Sequence, residues 1–425
     1  MDLLTIVIPV HGQWSYTRDC LQSLREHTPG RFYRVVVADG GSRDETASCC
    51  GPLLAELFGE RGEHCRVSER LSFARACNLG AKEASSDYLL FLNNDILLLP
   101  GWLEPLLIAL RNEPRAGVAA PLLLYPGADV VPDWPLAGRV QHAGIALDPN
   151  KHPVHLYHGF PAGHPAVRRP LRLQAVSGAA LLVPRQLFHE LGGFHEGYRN
   201  GSEDLDFCAA VRAAGGRCLY EPRSMLLHYS GATPGRYEHV QDNARLLNAR
   251  CMQRFIPDLH RLAQGDGFSP ALNEWLEVYL REAAPEGKMA GEPATATPRN
   301  GKTESQLREW LERRPLDQNA YVDLVALQHG AGDLVAAART LQVRAFLFPG
   351  LTAFSQALQA CLALGDEGGV ARWRSREQAG LARLRQLPRL LEQARDAADW
   401  FDRPGQEEIR DLYLGWIEHA EKQTS

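Results

Sequence analysis

The sequence predicts an α/β protein: a doubly wound, mixed and largely parallel sheet, followed by a second domain made only of helices. Two observations predict the sheet. Apolar runs of strand length alternate with helical periodicity from Leu3 to about Arg281, and several of these runs end abruptly in Gly, Asn or Asp. A third observation predicts the helices, because beyond about Ala283 the chain is rich in Leu, Ala, Arg and Gln at helical spacing.

The elements of the first domain follow from apolar runs and from the residues that break them. Predicted strands cover residues 4–8, 34–38, 88–92, 117–124 and 178–183. Predicted helices cover residues 17–27 and 73–84, and Ser72 is expected to cap the second of them.

Changes in amino-acid composition along the chain predict the domain boundaries. Residues 1–282 are expected to form the sheet domain, and residues 283–302, which hold Pro, Gly, Ala and Thr without periodicity, a linker. Residues 303–425 are expected to form the helical domain. In it, Pro315 and Pro349 stand one period of about 34 residues apart, which resembles tetratricopeptide helical hairpins. A generic helical bundle is the alternative.

Charge balance and cysteine usage exclude several classes of protein. With 46 Lys and Arg against 51 Asp and Glu, the net charge is −5, whereas a nucleic-acid partner would require a clustered basic excess. Nine cysteines without a Cys-x-x-Cys pair indicate reduced thiols rather than a zinc ribbon or a redox site. Neither a signal peptide nor a transmembrane segment is expected. We therefore expect a cytoplasmic protein, free or peripheral at the inner face of the membrane.

One apolar run ends in a group of polar residues that indicates a ligand site. The run 88–92 is followed directly by Asn93, Asn94 and Asp95. The carboxyl ends of such strands open into the crevice where ligands bind, and a carboxylate there costs desolvation unless a cation compensates it. A divalent metal carrying a diphosphate is the compensation that we favour over a plain polar turn.

Three further segments carry candidate functional residues. Pro9 and Val10 end the first predicted strand, Asp39 begins a Gly-rich turn after the second, and residues 203–206 read Glu-Asp-Leu-Asp. Each segment alone has a structural explanation, since Asp-Gly-Gly is a common turn and acidic residues often begin helices. The five histidines between residues 142 and 164 lack regular ligand spacing, so loop histidines are favoured over a zinc site.

The order of these segments along the chain, together with their flanking residues, is a more specific signal than any one segment alone. Together they resemble the inverting glycosyltransferases of family two, which have the GT-A fold, and among them the rhamnosyl- and galactofuranosyltransferase-like members. The resemblance covers roughly residues 1–250 and is carried by Thr5–His11, Ala38–Asp44, Leu71–Gly80, Leu92–Asp95, Pro100–Leu103, Val140–Gly144, Gly192–Glu196, Glu203–Asp206 and Leu227–Ser230. The family usually shows other residues in place of Gly40, Arg70 and Ser72, while every acidic position is kept.

The resemblance implies a role for each residue on the donor side. Asp39 would hydrogen-bond the nucleotide base, flanked by the backbone around Pro9 and Val10. Asn93 would lie near the ribose, and Asp95 would ligate a Mg²⁺ or Mn²⁺ ion that bridges the diphosphate.

It also implies roles for residues of the second half of the domain. His228 would complete the metal or diphosphate site. Asp204 would be the general base, supported by Glu203 and Asp206. Arg236 follows a Gly- and Pro-containing segment and is expected to clamp the diphosphate from a loop, because guanidinium binds phosphate bidentately.

The implied activity is transfer of a sugar from a nucleotide-diphosphate donor (UDP-, dTDP- or GDP-linked) to an acceptor hydroxyl by a single displacement with inversion. One base suffices for such a reaction, and Asp95 and Asp204 should then share one cavity. The acceptor can be a glycan, a lipid-linked glycan or a protein, and the C-terminal helices are expected to select it or to bind a protein partner. The alternative is a catalytically idle GT-A scaffold that acts as an interaction module, which nucleotide-binding calorimetry would separate from an enzyme.

Overall fold

The structure is a computed structural model that describes residues 3–229, 238–283 and 301–424. Its strands, in chain order, are β1 (Leu4–Val10), β2 (Tyr33–Gly40), β3 (Gly62–Val67), β4 (Tyr88–Leu92), β5 (Ile96–Leu98), β6 (Ala116–Leu124), β7 (Val140–His142), β8 (Ile145–Leu147), β9 (Pro153–His155), β10 (Leu171–Leu173), β11 (Ala180–Pro184), β12 (Arg217–His228), β13 (Phe268–Leu272) and β14 (Val278–Glu282).

The helices of the first region lie between these strands, and the last part of the described chain is helical. The helices are α1 (Trp14–His27), α2 (Thr46–Phe58), α3 (Phe73–Ala81), α4 (Leu103–Asn112), α5 (Arg185–Glu190), α6 (Glu203–Ala213), α7 (Val240–Arg250), α8 (Leu259–Gln264), α9 (Glu304–Arg313), α10 (Gln318–Gly330), α11 (Leu334–Leu347), α12 (Leu351–Leu364), α13 (Glu367–Leu384), α14 (Leu387–Trp400) and α15 (Glu407–Thr424).

One large mixed sheet organises the first region in the order β10-β12-β6-β11-β4-β1-β2-β3. Strands β3, β2, β1 and β4 run parallel, so their carboxyl ends meet at one edge of the sheet. Strand β11 is antiparallel to both β4 and β6, and this insertion makes the sheet mixed rather than largely parallel. The fold is the expected GT-A-like α/β fold, with an all-helical C-terminal region.

Most predicted elements are present with small differences at their ends. Helix α3 begins where expected, because the Ser72 side chain accepts a hydrogen bond from the Arg75 N–H. Strand β1 is buried along its whole length, as its β-branched sequence predicts. The prediction missed β3, whose residues are polar and only partly buried because it is the last strand of the sheet.

The helical region packs against the sheet region rather than standing apart from it. One hydrophobic cluster joins Leu136 and Phe160 of the sheet region to Leu307, Tyr321 and Leu347 of the helices. A second cluster fills the other face of the sheet, and a third lies among the C-terminal helices. Residues 284–300, most of the predicted linker, lie outside the described residues, and the proposed division into domains stays a prediction.

Successive helices of this region contact one another, and several begin at aspartate caps. Asp317, Asp333 and Asp366 each accept a backbone N–H of the helix that follows. Asp333 and Asp366 each follow a glycine and stand 33 residues apart, close to the period of the two prolines, but the tetratricopeptide assignment stays a prediction. In the described part of the chain, no helix is both long and apolar enough to cross a bilayer.

Candidate active site

The candidate site lies where the parallel strands end. Pro9 and Val10 close β1, and Val10 is paired in register with Asp39 of β2. Strand β4 ends at Leu92, and Asn93 follows with its N–H bonded to the Ala179 carbonyl at 2.8 Å. The sheet therefore brings these chain ends to one edge, where they border a cavity of about 310 Å³.

Asp95 lies between β4 and β5, and its partner is a histidine from the distant end of β12. The Nε2 atom of His228 is 3.0 Å from Asp95 Oδ1 and 3.4 Å from the amide nitrogen of Asn93. Only 6% of Asp95 and 3% of His228 are exposed. Strand pairing explains the contact, because β12 runs antiparallel to β5 and places His228 opposite Ile96.

Gln141 of β7 fixes the orientation of the His228 ring. Its amide nitrogen donates to the His228 carbonyl at 3.0 Å, and its Oε1 faces His228 Nδ1. The His228 carbonyl can only accept a hydrogen bond, so the Gln141 amide nitrogen must face it and the Gln141 Oε1 must face the ring. Because this Oε1 can also only accept, His228 Nδ1 must carry a hydrogen. In a neutral ring the lone pair is then on Nε2, directed towards the Asp95 carboxylate.

Two electron-pair donors that face each other in a buried site are suited to share a cation. Oxygen and imidazole ligands together suit Mn²⁺, and Mg²⁺ is usually bound by one or two carboxylates, waters and substrate phosphates. Asp95 and His228 therefore fit a divalent metal that a diphosphate completes. The described residues contain no group of three or more His, Cys, Asp or Glu side chains placed to hold a metal by themselves.

Asp204 lies on the same cavity, on the first turn of α6. Its Oδ2 accepts the Gly178 N–H at 2.9 Å and its Oδ1 accepts the Leu205 N–H at 2.8 Å. A Cβ on Gly178 would lie 3.1 Å from the Asp204 Cβ, so a glycine allows this close approach. The two hydrogen bonds hold the carboxylate in one orientation, and each oxygen keeps a lone pair for another donor.

The loop before α6 is held in an uncommon backbone conformation. Asn200 and Ser202 have positive φ values of 55° and 74°, and neither is a glycine. The Asn200 side chain accepts the Phe73 N–H at 3.1 Å, and Glu203 Oε2 accepts the Gly201 N–H at 2.8 Å. Such strain clusters at functional sites, and here it positions the start of α6 beside the cavity.

Two of the expected site residues do not line this cavity. Asp206, on the opposite side of the first turn of α6, forms an ion pair with Arg250 of α7 at 3.1 Å. Asp39 is fully buried, and its carboxylate accepts from Ser42, His64 and Arg66. Burial alone would raise the pKa of Asp39, but the hydrogen bonds from His64 and Ser42 outweigh it and lower the pKa.

The other expected residues meet in the cavity. Its walls include Pro9, Val10, Asn93, Asp95, Glu203, Asp204 and His228. Asp95 and Asp204 thus face one space, although they are more than a hundred residues apart in the chain. Arg236 lies outside the described residues.

Residues that the sequence did not single out support this site. Gln141 orients His228, and the neighbouring His142 accepts the Ser177 N–H at 3.2 Å through Nε2. Ser177 precedes Gly178, so His142 helps to hold the peptide that binds Asp204. Burial lowers the pKa of His142 well below its usual range, which keeps the ring an acceptor. Both residues belong to the segment Val140–Gly144, which carried part of the resemblance but no assigned role.

Comparisons with known proteins give the family to which this fold and this acidic edge belong. The sequence model of Glycosyl transferase family 2 matches residues 5–161. The N-acetylglucosaminyl-diphospho-decaprenol L-rhamnosyltransferase of Mycobacterium tuberculosis is 31% identical over 252 residues, covering 55% of this chain and 78% of that protein. The chain therefore belongs to Glycosyl transferase family 2.

Other relatives are matched over a smaller part of their length. The O-antigen biosynthesis protein RfbC of Myxococcus xanthus is 26% identical over 246 residues, which are 54% of this chain but 17% of that protein. The chain spans well under two thirds of the first curated relatives that it matches. A structure of GalNAc-T7 with UDP, GalNAc and Mn²⁺ aligns with a TM-score of 0.45 at 20% identity, covering 58% of this chain and 48% of that one.

Proposed function

We propose that this protein is a metal-dependent inverting glycosyltransferase, which moves a sugar from a nucleoside-diphosphate donor to an acceptor hydroxyl by a single displacement. The observation that supports the proposal most directly is the shared cavity of Asp95 and Asp204. One carboxylate has a histidine partner suited to metal binding, and the other is held by backbone N–H groups with free lone pairs. Two acids with such different surroundings suit two different tasks.

Asp95 and His228 would hold Mn²⁺ or Mg²⁺ together with the donor diphosphate. When bound, the ion neutralises the negative charge that develops on the departing diphosphate. Gln141 keeps the His228 ring in the orientation that this requires, and ligand orientation by such a neighbour commonly affects metal affinity. Asn93, 3.4 Å from the same ring nitrogen, would contact the ribose.

Asp204 would take the proton from the acceptor hydroxyl as that oxygen attacks the anomeric carbon. The attack and the departure of the diphosphate occur on opposite faces of the sugar, so the base must stand across the cavity from the diphosphate site. Asp204 enters from α6, and Asp95 enters from the end of β4. Glu203 supports the base by holding the preceding loop, and Asp206 supports it by fixing α6 to α7.

The nucleotide would bind along the ends of β1 and β2. The backbone around Pro9 and Val10 forms one wall of the cavity. Asp39 is proposed to recognise the base; its carboxylate is fully buried beside this wall and bonded to Ser42, His64 and Arg66, so base binding would require one of these partners to give way. Which nucleotide the donor carries, UDP, dTDP or GDP, is a matter for experiment.

The proposal is tested by donor turnover in Mn²⁺, with mass-spectrometric detection of nucleoside diphosphate released from a panel of UDP-, dTDP- and GDP-linked sugars. Asp204→Asn should lower turnover by about 10²- to 10⁴-fold, because the base is lost, while nucleotide binding in calorimetry is kept. Asp95→Ala should weaken the binding of Mn²⁺ and nucleotide together. Asp242→Asn, an exposed change on α7, is the matched control and should behave as wild type.

Two outcomes would overturn the proposal. One is wild-type turnover in both Asp204→Asn and Asp95→Ala. The other is that wild-type protein neither binds any of the three nucleoside diphosphates nor turns over any donor, which would favour a catalytically idle scaffold.

A further inference from the structure

Two further cavities adjoin the proposed catalytic cavity along the seam between the sheet region and the helices. The next cavity, of about 490 Å³, shares Gln141 and His155 with the catalytic cavity. A third, of about 970 Å³, shares Val154, Glu277 and Val278 with the second. Strand β9 is the common wall of all three. We call these three adjoining cavities, which share β9 as a wall, the seam groove; they lead from the proposed base to the helical region.

The middle of the seam groove is lined by aromatic rings from both regions. Tyr125 comes from the sheet region, Tyr279 from β14 and Phe346 from α11. Tyr279 is half-buried, and its ring meets Phe348 by an edge. Aromatic faces pack well against the C–H face of a sugar ring, since both are flat and apolar at their centres while their rims accept or donate hydrogen bonds.

The far end of the seam groove is lined by positively charged side chains. Arg383 on α13 and Arg389 on α14 line it with exposed side chains. Within the described chain, neither guanidinium has a hydrogen-bond or ion-pair partner. Lys151 also lines this end and lies 5.6 Å from the Trp400 ring. Two unpaired guanidinium groups beside a lysine form a site for carboxylate or phosphate groups.

The acids of the same end are mostly engaged within the protein. Asp148 accepts the His152 N–H at 2.7 Å, and Glu277 accepts the Trp275 indole N–H at 2.9 Å. Asp396 is the remaining carboxylate of this wall. The groove is thus aromatic in the middle and cationic at its end.

From this arrangement we infer that the seam groove binds the acceptor, and that the acceptor is an oligosaccharide carrying negative charges several sugar units from the reacting hydroxyl. The inference rests on the proposed function, which supplies the position of the reaction. Sugar rings would stack along the aromatic middle, and their acidic groups would pair with Arg383 and Arg389. The helical region would then select the acceptor by its charge.

An acidic peptide fits the groove less well. Glu277 stands where the middle and outer cavities meet, so a chain that is acidic along its whole length meets a like charge there, whereas sugar hydroxyls can donate to it. A peptide could instead add a strand to β9, but that strand begins with Pro153, which has no N–H to offer.

The test measures binding of a labelled pentasaccharide, made of three neutral glucose units followed by two glucuronate units (the glucose–glucuronate probe), to the full-length protein by fluorescence anisotropy. The double variant R383E/R389E should weaken this binding about tenfold or more. The matched control is R374E/R385E, which reverses two exposed arginines of the same helical segment that do not line the groove. That control should stay within about twofold of wild type.

Two comparison ligands separate the alternatives. Neutral maltopentaose should bind at least tenfold more weakly than the glucose–glucuronate probe, and pentaglutamate should also bind more weakly. Equal binding by wild type and R383E/R389E, tighter binding of pentaglutamate, or no binding of the glucose–glucuronate probe to wild type would each overturn the inference. Calorimetry with nucleoside diphosphate and Mn²⁺ is run on the same samples: nucleotide binding without binding of the glucose–glucuronate probe rejects this inference alone, whereas loss of nucleotide binding in wild type rejects the proposed function.

Discussion

The imidazole of His228 lies 3.0 Å from the Asp95 carboxylate, although 133 residues separate them in the chain. The contact depends on the antiparallel pairing of β12 with β5, which brings the end of one strand to the start of the other. Gln141 then sets which ring nitrogen faces the carboxylate. The proposed metal site therefore depends on strand register as much as on the two side chains.

Replacing Gln141 by leucine should weaken metal binding without unfolding the protein. The leucine has a similar size but cannot accept the Nδ1 hydrogen, so the His228 ring loses its fixed orientation. Losses of this kind commonly cost about 10- to 100-fold in metal affinity. Calorimetric titration of Mn²⁺ in the presence of nucleoside diphosphate measures it, and Gln174→Leu, which removes a hydrogen bond to Ile256 elsewhere, should leave the affinity unchanged.

A methyl group on Gly178 should displace the proposed base. The added Cβ would lie 3.1 Å from the Asp204 Cβ, tighter than ordinary contact, so Gly178→Ala is expected to shift Asp204 and weaken its hydrogen bond to the Gly178 N–H. Small displacements of a catalytic group are costly, and we expect turnover to fall by about 10- to 100-fold. Gly163→Ala is the matched control because nothing lies within 4 Å of its added Cβ. Equal turnover in the two variants would contradict the position assigned to Asp204.

Asp206→Asn should affect stability more than turnover. Asp206 is 8% exposed, and Arg250 donates to both of its oxygens, so the change leaves a guanidinium with a weaker partner. We expect a loss of about 1–3 kcal/mol in the free energy of unfolding, measured as a shift of the urea midpoint. Turnover should stay within a few-fold of wild type. A thousandfold loss of turnover at unchanged stability would instead place Asp206 in the chemistry.

His158 should make the folded protein sensitive to mild acid. Burial, with His155 and Arg376 nearby, lowers the pKa of His158 from 6.5 to about 3. Between pH 6.5 and pH 3 the unfolded chain binds a proton at His158 that the folded chain does not. The stability that the neutral His158 ring contributes is therefore fully present above pH 6.5 and is lost as the pH falls towards 3. His158→Gln should remove this pH-dependent contribution, about 2–3 kcal/mol of the stability lost between pH 7 and pH 4.5.

Urea midpoints at the two pH values measure this effect. Tyr125→Phe is the control, because it removes the 3.1 Å contact with His158 Nε2 while the ring stays buried. That variant should keep the wild-type loss in acid. The prediction fails if His158→Gln loses as much stability in acid as wild type does.

The sequence predicted the central strands because they are buried on both faces and therefore read as continuous apolar runs. Strand β3 has no such signal: it is polar and half-buried, and only its neighbour β2 determines that it pairs. The three-residue strands β7, β8, β9 and β10 are too short for any periodicity. The antiparallel position of β11 depends on the path of the chain, which local patterns do not encode.

The same limit applies to the candidate site. Asp95 and Asp204 could be named because each stands in a recognisable acidic segment. The partners of Asp39 could not, since His64 and Arg66 belong to the strand that the sequence did not reveal. Arg250, the partner of Asp206, stands 44 residues further along the chain without any motif around it. Roles that depend on pairing across the fold need the three-dimensional structure.

The hydrophobic cluster that Leu136 and Phe160 share with Leu307, Tyr321 and Leu347 bears on how this chain can change. Because these apolar side chains are buried against each other, exchanging the helices for another module would expose apolar surface on the sheet region. New acceptor preferences would therefore arise by point changes along the joint surface, and heat should melt both halves in a single step.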